Sequence, residues 1–226
     1  MATTVQIRDR VALSLRRSPI IGVVRTGSRE EAAFQARALA AAGVELIEIT
    51  FSVPGASGLL RELLAARRSE GPPWFGMGTV TTAARAREAA AAEAEFLVTP
   101  NVSAEVAREA RQAGLFLVMG ALTPTEIVAA NELGADLVKV FPLPPVGGTT
   151  YLARIRGPLA DIPMLAAGGF GVEEIPAYAL AGAVAFGIAA PLLGVGPDEA
   201  ETGRRVSRAL ALARGGALER EREEER

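Results

Sequence analysis

Histidine and cysteine are both absent from this sequence of 226 residues. Their absence excludes a Ser-His-Asp triad, a Cys-His pair, disulfide bonds and any metal site built on imidazole or thiolate ligands. Acid–base chemistry must therefore come from carboxylates, tyrosine, an amine or water. We expect a protein that needs neither a bound metal nor an organic cofactor.

Long hydrophobic runs and an excess of one charge are also missing. No apolar run is long enough to span a bilayer, and the N-terminal stretch MATTVQIRDRVALSLRRS lacks the apolar region of a secretory signal. The formal net charge is −2, with acids and bases mixed along the chain, which argues against a nucleic-acid-binding protein. We expect a soluble cytoplasmic protein with no nucleic-acid or membrane partner. Half of the residues are apolar, enough for a sizeable core.

Lysine is reduced to a single residue, Lys139, beside 23 arginines. A coding bias toward arginine could leave one lysine by chance. However, Lys139 lies in the middle of the apolar run LVKVFP, where a charge is costly. Arginine cannot lose its proton at any useful pH, whereas a desolvated lysine can act as a nucleophilic amine. The position of Lys139 therefore favours amine chemistry over a chance survivor.

Short apolar runs alternate with alanine-rich amphipathic stretches along the whole chain. Eight strands, each followed by a helix, predict an α/β fold, the parallel (β/α)₈ TIM barrel. A doubly wound open sheet is the alternative, but it would leave eight nearly equal repeats unexplained and two sheet edges to protect. The predicted strands cover residues 20–25, 45–51, 74–80, 95–100, 115–121, 136–142, 163–169 and 183–189.

Both ends of the chain extend beyond this eightfold pattern, and no interdomain linker is visible. Residues 3–18 predict an extra helix that covers the N-terminal mouth of the barrel. The last helix begins at about Asp198 and runs into the charged stretch ALEREREEER. We therefore expect a single domain over residues 1–226, with a disordered charged tail at about 215–226.

Polar residues at the C-terminal ends of the strands are the candidates for chemistry, because active sites of such barrels lie there. Side chains alternate along a strand, so Glu48 shares one face with Leu46 and Thr50, and Lys139 shares one with Phe141. Both Glu48 and Lys139 can thus enter the barrel, on strands that lie opposite each other. A buried ion pair that fixes strand register is the structural alternative.

The chemistry open to an amine and a carboxylate in one pocket is specific. The amine condenses with a ketone, the protonated imine withdraws electrons while a carbon–carbon bond breaks, and the resulting enamine is then protonated. A carboxyl group in a semi-apolar pocket can move the protons, and Glu48 fits that function. Arg25, Thr79 and backbone amides of the third βα loop can hold the carboxylate of a 2-oxo acid.

Two glycine-containing segments follow the seventh and eighth strands. AAGGFG (166–171), with Gly168 and Gly169, can present backbone amides to an anion, or it can simply be a tight turn that needs positive φ. FGIAA (186–190), with Gly187, occupies the complementary place and offers no hydroxyl.

Several stretches together resemble the 2-keto-3-deoxy-6-phosphogluconate/4-hydroxy-2-oxoglutarate aldolases, from about Ile20 to Leu193. They are GVELIEITFSVPGA (43–56), GMGTV (76–80), FLVTPN (96–101), GALTPTE (120–126) and DLVKVFP (136–142). The resemblance implies a homotrimeric class I aldolase of carbohydrate metabolism, as in the Entner–Doudoroff route. Such an enzyme interconverts a 2-keto-3-deoxy acid with pyruvate and an aldehyde.

The resemblance also implies site residues. Lys139 is the Schiff-base lysine, Glu48 is the acid–base residue, and Thr79 binds the carboxylate of pyruvate. Phe141 and Pro100 line the pocket.

Three departures from the family pattern concern substrate binding. Ser52 stands where many members have arginine, so that Arg25 becomes the candidate partner of the carboxylate. The phosphate pocket commonly has TGG and a serine, where this chain has Ala167 before the two glycines and Ile188.

The alternatives to an aldolase are another phosphate-binding barrel, such as an epimerase or decarboxylase, and a degenerate barrel kept for binding or assembly. Retention of Glu48 and of the single lysine argues against the degenerate barrel.

Overall fold

The computed structural model describes the backbone of residues 4–67 and 71–224 and the side chains of residues 7–67 and 71–216. Within these ranges, parallel strands form a closed barrel in chain order, with the last strand paired to the first. Each strand falls inside its predicted range, so the (β/α)₈ prediction is confirmed and the open-sheet alternative is excluded. The strands are β1 (Ile20–Val24), β2 (Leu46–Thr50), β3 (Trp74–Gly78), β4 (Phe96–Val98), β5 (Phe116–Ala121), β6 (Leu137–Val140), β7 (Met164–Ala167) and β8 (Ala185–Ala189).

A helix follows every strand, and one further helix precedes the barrel. Several helices begin at a side-chain cap, because Ser28, Thr82, Ser103 and Thr123 each accept a hydrogen bond from the backbone amide three residues later. The helices are α1 (Thr4–Arg17), α2 (Arg29–Ala41), α3 (Ala56–Ala66), α4 (Ala83–Ala91), α5 (Ala104–Ala113), α6 (Pro124–Glu132), α7 (Gly148–Arg156), α8 (Ile175–Leu180) and α9 (Glu199–Glu224).

The alternation of side chains along the strands divides the core into two layers. Ile47, Ile49 and Val138 lie in the layer between the strands and the surrounding helices. Leu46 and Leu137 belong to a second cluster inside the barrel. The predicted faces of β2 and β6 are therefore the observed ones, and the residues between these apolar positions point inward.

Helix α1 closes the N-terminal mouth of the barrel, as the sequence predicts. Its Val11 and Leu15 are buried against the inner cluster, which includes Trp74 at the start of β3. The Trp74 Nε1–H group donates a 2.8 Å hydrogen bond to Ser14 Oγ. Helix α1 does not cover the opposite mouth, where the strands end and where the candidate active site lies.

The last helix, α9, is capped by Asp198, whose Oδ1 accepts a 3.0 Å hydrogen bond from the Glu201 amide. The backbone is helical as far as Glu224, within the range where we expect a disordered tail; residues 225–226 lie outside the described part. No helix among the described residues is long and apolar enough to cross a membrane.

Candidate active site

Glu48 on β2 and Lys139 on β6 both point into the barrel, from strands on opposite sides of the closed sheet. Their exposed fractions are 1% and 8%. Lys139 Nζ lies 5.0 Å from the centre of the Phe141 ring, which packs against the inner cluster. Glu48 Oε1 is buried and has no hydrogen-bond partner among the described residues. The predicted pair is thus assembled, and its carboxylate retains an unused acceptor inside the barrel.

Burial raises the pKa of the Glu48 carboxyl above its ordinary value. The positive charges of Lys139 and Arg25 act in the opposite direction, but more weakly than the loss of solvent. The carboxyl therefore keeps its proton to a higher pH than an exposed glutamate does. A carboxyl group with a raised pKa is a better proton donor and acceptor in acid–base chemistry than an exposed glutamate.

Gly78, at the end of β3, provides the space that the Glu48 side chain occupies. A Cβ atom at Gly78 would overlap the Glu48 carboxylate. The register of the sheet pairs Glu48 with Gly76 and Thr50 with Gly78, so Gly78 lies two residues further toward the open mouth than the glutamate. The acid of the site therefore depends on a missing side chain in the neighbouring strand.

Arg25 and Thr79 meet at the mouth of the barrel, just after β1 and β3. Arg25 Nη2 donates a 3.2 Å hydrogen bond to Thr79 Oγ1. Thr79 has φ of 58°, a left-handed conformation that costs a non-glycine residue about 1–2 kcal/mol. Its carbonyl oxygen accepts a 3.1 Å hydrogen bond from Arg85 Nη1, in the first turn of α4. Two guanidinium groups thus converge on one threonine.

Other polar residues at the strand ends have structural functions. Thr50 donates a 3.1 Å hydrogen bond to the Val24 carbonyl. Thr99 Oγ1 donates to the Asn101 carbonyl at 2.7 Å and accepts from the Gly120 amide at 3.0 Å. These hydroxyls join neighbouring strands and loops.

Pro100 lies where the fourth βα loop passes the strand next to Lys139. Its backbone would overlap a Cβ atom at Gly120, and Gly120 is the β5 partner of Lys139 in the parallel register. Pro100 is half-buried, as is Phe141, which directly follows β6. The two residues therefore lie at the end of the barrel where Lys139 is found.

The loop after β7 contains Gly168 and Gly169, with φ values of 131° and 97°. Neither amide donates a hydrogen bond to another described residue, so both remain available to an anion. Gly168 also meets a steric need, because a Cβ atom there would lie 2.8 Å from the Leu143 nitrogen. The tight-turn and anion-binding interpretations are thus compatible.

Strand β8 corrects one sequence assignment. Ile188, taken as the counterpart of the family's serine, is 1% exposed and packs in the layer between strands and helices. By alternation, the inward residues of this strand are Gly187, whose partner on β7 is Ala167, and Ala189. None of these inward residues has a hydroxyl. The site therefore still lacks side-chain donors at this place, but the residues responsible are Gly187 and Ala189 rather than Ile188.

Sequence analysis missed two residues of this site, Gly78 and Arg85. The GMGTV motif was recognised as a whole, yet alternation from the buried Trp74 would have assigned Gly78 to the inner face beside Glu48. Arg85 had no sequence signal beyond its place in a helix, because its contact with Thr79 depends on the path of the loop.

No group of three or more carboxylates that could hold a metal ion is found in the described part of the chain.

A buried amine and a buried carboxyl group at the open end of the barrel, beside two cations, can bind and activate a 2-oxo acid. The amine can form an imine with the ketone, the imine can withdraw electrons, and the carboxyl group can move protons. Fold and site together define the class: a carbon–carbon lyase that works through a lysine Schiff base.

Comparison with known proteins agrees with this class and names the family. The family profile described as KDPG and KHG aldolase matches residues 11–201. The chain belongs to this family, and it is a class I aldolase that cleaves or forms a 2-keto-3-deoxy acid from pyruvate and an aldehyde.

Three known proteins illustrate the similarity. The 2-dehydro-3-deoxy-phosphogluconate aldolase of Treponema pallidum is 32% identical over 73% of this chain and 77% of its own. A probable 2-dehydro-3-deoxy-6-phosphogalactonate aldolase of Rhizobium meliloti is 31% identical, over 90% and 95%. The crystal structure of the Legionella pneumophila KDPG aldolase, with pyruvate captured as a covalent carbinolamine, is 25% identical with a TM-score of 0.71. It covers 89% of this chain and 95% of its own.

Proposed function

We propose that Lys139 is the Schiff-base lysine of this aldolase and that Glu48 is its acid–base residue. One observation supports both assignments best: a carboxylate oxygen of Glu48 is buried and has no hydrogen-bond partner among the described residues. The Glu48 carboxyl group is also close enough to Lys139 for the positive charge of the amine to lower its pKa. A purely structural ion pair would use its acceptors in direct hydrogen bonds. A buried acceptor without a protein partner, at the open end of the barrel, is suited to a hydrogen bond from a substrate hydroxyl or a water molecule.

The reaction follows from these two groups. The unprotonated Lys139 amine attacks the ketone carbon of the 2-oxo acid, and the carbinolamine loses water to give a protonated imine. Glu48 accepts the proton of the C4 hydroxyl as the C3–C4 bond breaks, and the electron pair of that bond enters the imine as an enamine. Protonation of the enamine at C3 and hydrolysis release pyruvate.

Arg25 and Thr79 are the proposed binding groups for the substrate carboxylate. Their mutual hydrogen bond holds a guanidinium and a hydroxyl side by side at the barrel mouth. Charge-assisted hydrogen bonds of this kind are stronger than neutral ones and orient a planar carboxylate. Phe141 and Pro100 are the proposed apolar walls, beside Lys139.

Borohydride reduction in the presence of pyruvate tests the Lys139 assignment. We expect one adduct per chain, located at Lys139 by peptide mass mapping, because the only rival amine is at the N-terminus. The Lys139→Arg variant keeps the positive charge and should fold, yet it should lose trapping and turnover. An unmodified Lys139 peptide under saturating pyruvate would contradict the proposed function.

For the far end of the substrate, we propose only a weak preference for a phosphate ester. The amides of Gly168, Gly169 and Gly187 are the candidate donors, but Ala167 and the inward residues of β8 offer no hydroxyl. A hydrogen bond to a charged group contributes about 1.5–3 kcal/mol. Two missing contacts therefore remove a factor on the order of several hundred in discrimination.

The ratio of kcat/KM for 2-keto-3-deoxygluconate and for its 6-phosphate measures this preference. We expect the two values to differ little, and short aldehydes such as glyoxylate to be accepted as well. A preference for the ester above about a thousandfold would require binding groups outside these loops and would overturn this part of the proposal.

Self-association as a homotrimer and a cytoplasmic location complete the proposal. The trimer is proposed from the resemblance to the family. It is supported by large apolar side chains that are more than a third exposed on the described surface, among them Leu13, Phe34 and Leu180. The cytoplasm is the compartment in which a small-molecule sugar-acid enzyme meets pyruvate.

A further inference from the structure

Arg85 is held by three separate contacts at the mouth of the barrel. Its Nη1 donates hydrogen bonds of 3.1 Å to the Thr79 carbonyl and 3.1 Å to Thr81 Oγ1. The centre of its guanidinium group lies 5.3 Å from the centre of the Phe51 ring. Phe51 is itself anchored to β3, because its amide donates a 2.9 Å hydrogen bond to the Gly78 carbonyl. The guanidinium thus connects the end of β2 with the loop after β3.

Thr79 is the residue in that loop whose conformation needs support, since its φ of 58° is unusual for any residue with a side chain. The loop is short, and Arg85 forms two hydrogen bonds back to it, one from its backbone and one from its side chain. Its backbone amide donates to Thr82 Oγ1, the cap of α4, and its side chain binds the Thr79 carbonyl. Loss of the side chain would leave the carbonyl of a strained peptide without this partner.

The guanidinium groups of Arg85 and Arg25 lie at the barrel mouth without a salt bridge, although the charge of Arg25 reaches the buried Glu48 carboxyl group and lowers its pKa. Neither forms an ion pair with a carboxylate of the described residues, and both hydrogen-bond to neutral oxygens. Arg87, on the outer side of the same helix turn, differs because it pairs with Glu109 at 2.8 Å. Two unpaired guanidinium groups around one threonine favour an anionic ligand at this place.

We propose that Arg85 is a positioning residue for the 2-oxo acid substrate. It holds Thr79 in the left-handed conformation that presents the threonine hydroxyl beside Arg25. This inference rests on the proposed function, in which Thr79 and Arg25 bind the substrate carboxylate. The side chain of Arg85 hydrogen-bonds to Thr79 and Thr81 rather than to Lys139 or Glu48, so we expect it to affect carboxylate binding much more than the bond-breaking step.

Replacement of Arg85 by methionine tests the proposal, because methionine keeps an apolar contact with Phe51 and removes the donors and the charge. We expect KM for pyruvate in the condensation reaction to rise about tenfold, with kcat within about threefold of the parent. Arg85→Lys should recover part of the loss, because its ammonium can still donate to the Thr79 carbonyl. The control, Arg87→Met, should change neither constant. Unchanged KM in Arg85→Met, or a fall in kcat alone, would overturn the inference.

A double-mutant cycle with Thr79→Ala identifies the route by which Arg85 acts. If Arg85 acts through the Thr79 hydroxyl, Arg85→Met should raise KM far less in the Thr79→Ala background than in the parent. Independent, multiplicative effects would contradict a positioning function. Borohydride trapping at saturating pyruvate should succeed in every variant and thereby report that the site is assembled.

The same cycle separates this inference from the proposed function. If Thr79→Ala raises KM while Arg85→Met does not, only the inference about Arg85 fails. Failure of pyruvate to label Lys139 in the parent protein would instead remove the proposed function.

Discussion

The Glu48 carboxyl group lies in an interior that disfavours its charged form, and we propose that it is the acid–base residue. Replacement by glutamine keeps the shape of the side chain but cannot move a proton. We expect turnover to fall by roughly 10²–10⁴, the range of a positioned acid–base group. Pyruvate affinity, measured by half-maximal borohydride trapping, should change much less. Near-normal turnover in Glu48→Gln would mean that another group moves the protons.

The same substitution should change how stability depends on pH. The pKa of Glu48 is raised in the folded state, so its contribution to stability is fully present below the ordinary glutamate pKa of about 4.3 and is lost as pH rises. Urea unfolding of the parent and of Glu48→Gln at a series of pH values measures the difference. We expect the variant to gain on the parent as pH increases from about 4. A variant that instead loses stability relative to the parent as pH rises would contradict the direction of the shift.

At the scale of a single element, β3 supplies empty space to its neighbour. Gly78→Ala would place a methyl group in the volume of the Glu48 carboxylate, and we expect at least about a hundredfold loss of turnover, as for loss of a positioned acid–base group. Overpacking of this kind also costs about 1–3 kcal/mol of stability.

Gly76→Ala is the matched control for this prediction, because it lies on the same strand and face but collides with the Phe96 ring instead. It should destabilise the protein similarly and retain most of the turnover when assayed below its melting temperature. Equal losses of turnover in both variants would show that the effect is general damage to the barrel.

Much of the barrel follows from patterns that act over a few residues. Alternation in LIEIT and LVKV was enough to assign the inward faces of Glu48 and Lys139, since neighbouring side chains on a strand must point to opposite sides. The cap of α2 depends on an equally local contact, the hydrogen bond from the Glu31 amide to the Ser28 side chain. The left-handed turn at Thr79, the contact of Arg85 with it and the outward direction of Ile188 depend on how separate segments meet. Those features could not be read from spacing within one segment.

At the scale of the whole molecule, self-association should follow the family pattern. Sedimentation equilibrium is expected to give about three times the chain mass of 23.5 kDa, and the melting temperature should rise with protein concentration. A concentration-independent monomer would contradict the proposed trimer.

The confinement of the only lysine to a buried strand has a practical consequence for proteolysis. An endoprotease that cleaves solely after lysine has one target bond in 226 residues, and in the folded barrel that bond is protected because Lys139 is 8% exposed. After denaturation, the free chain is cut into fragments 1–139 and 140–226. A chain whose lysine was first reduced onto pyruvate stays whole. The uncut fraction on a denaturing gel therefore measures the fraction of chains that are labelled at Lys139.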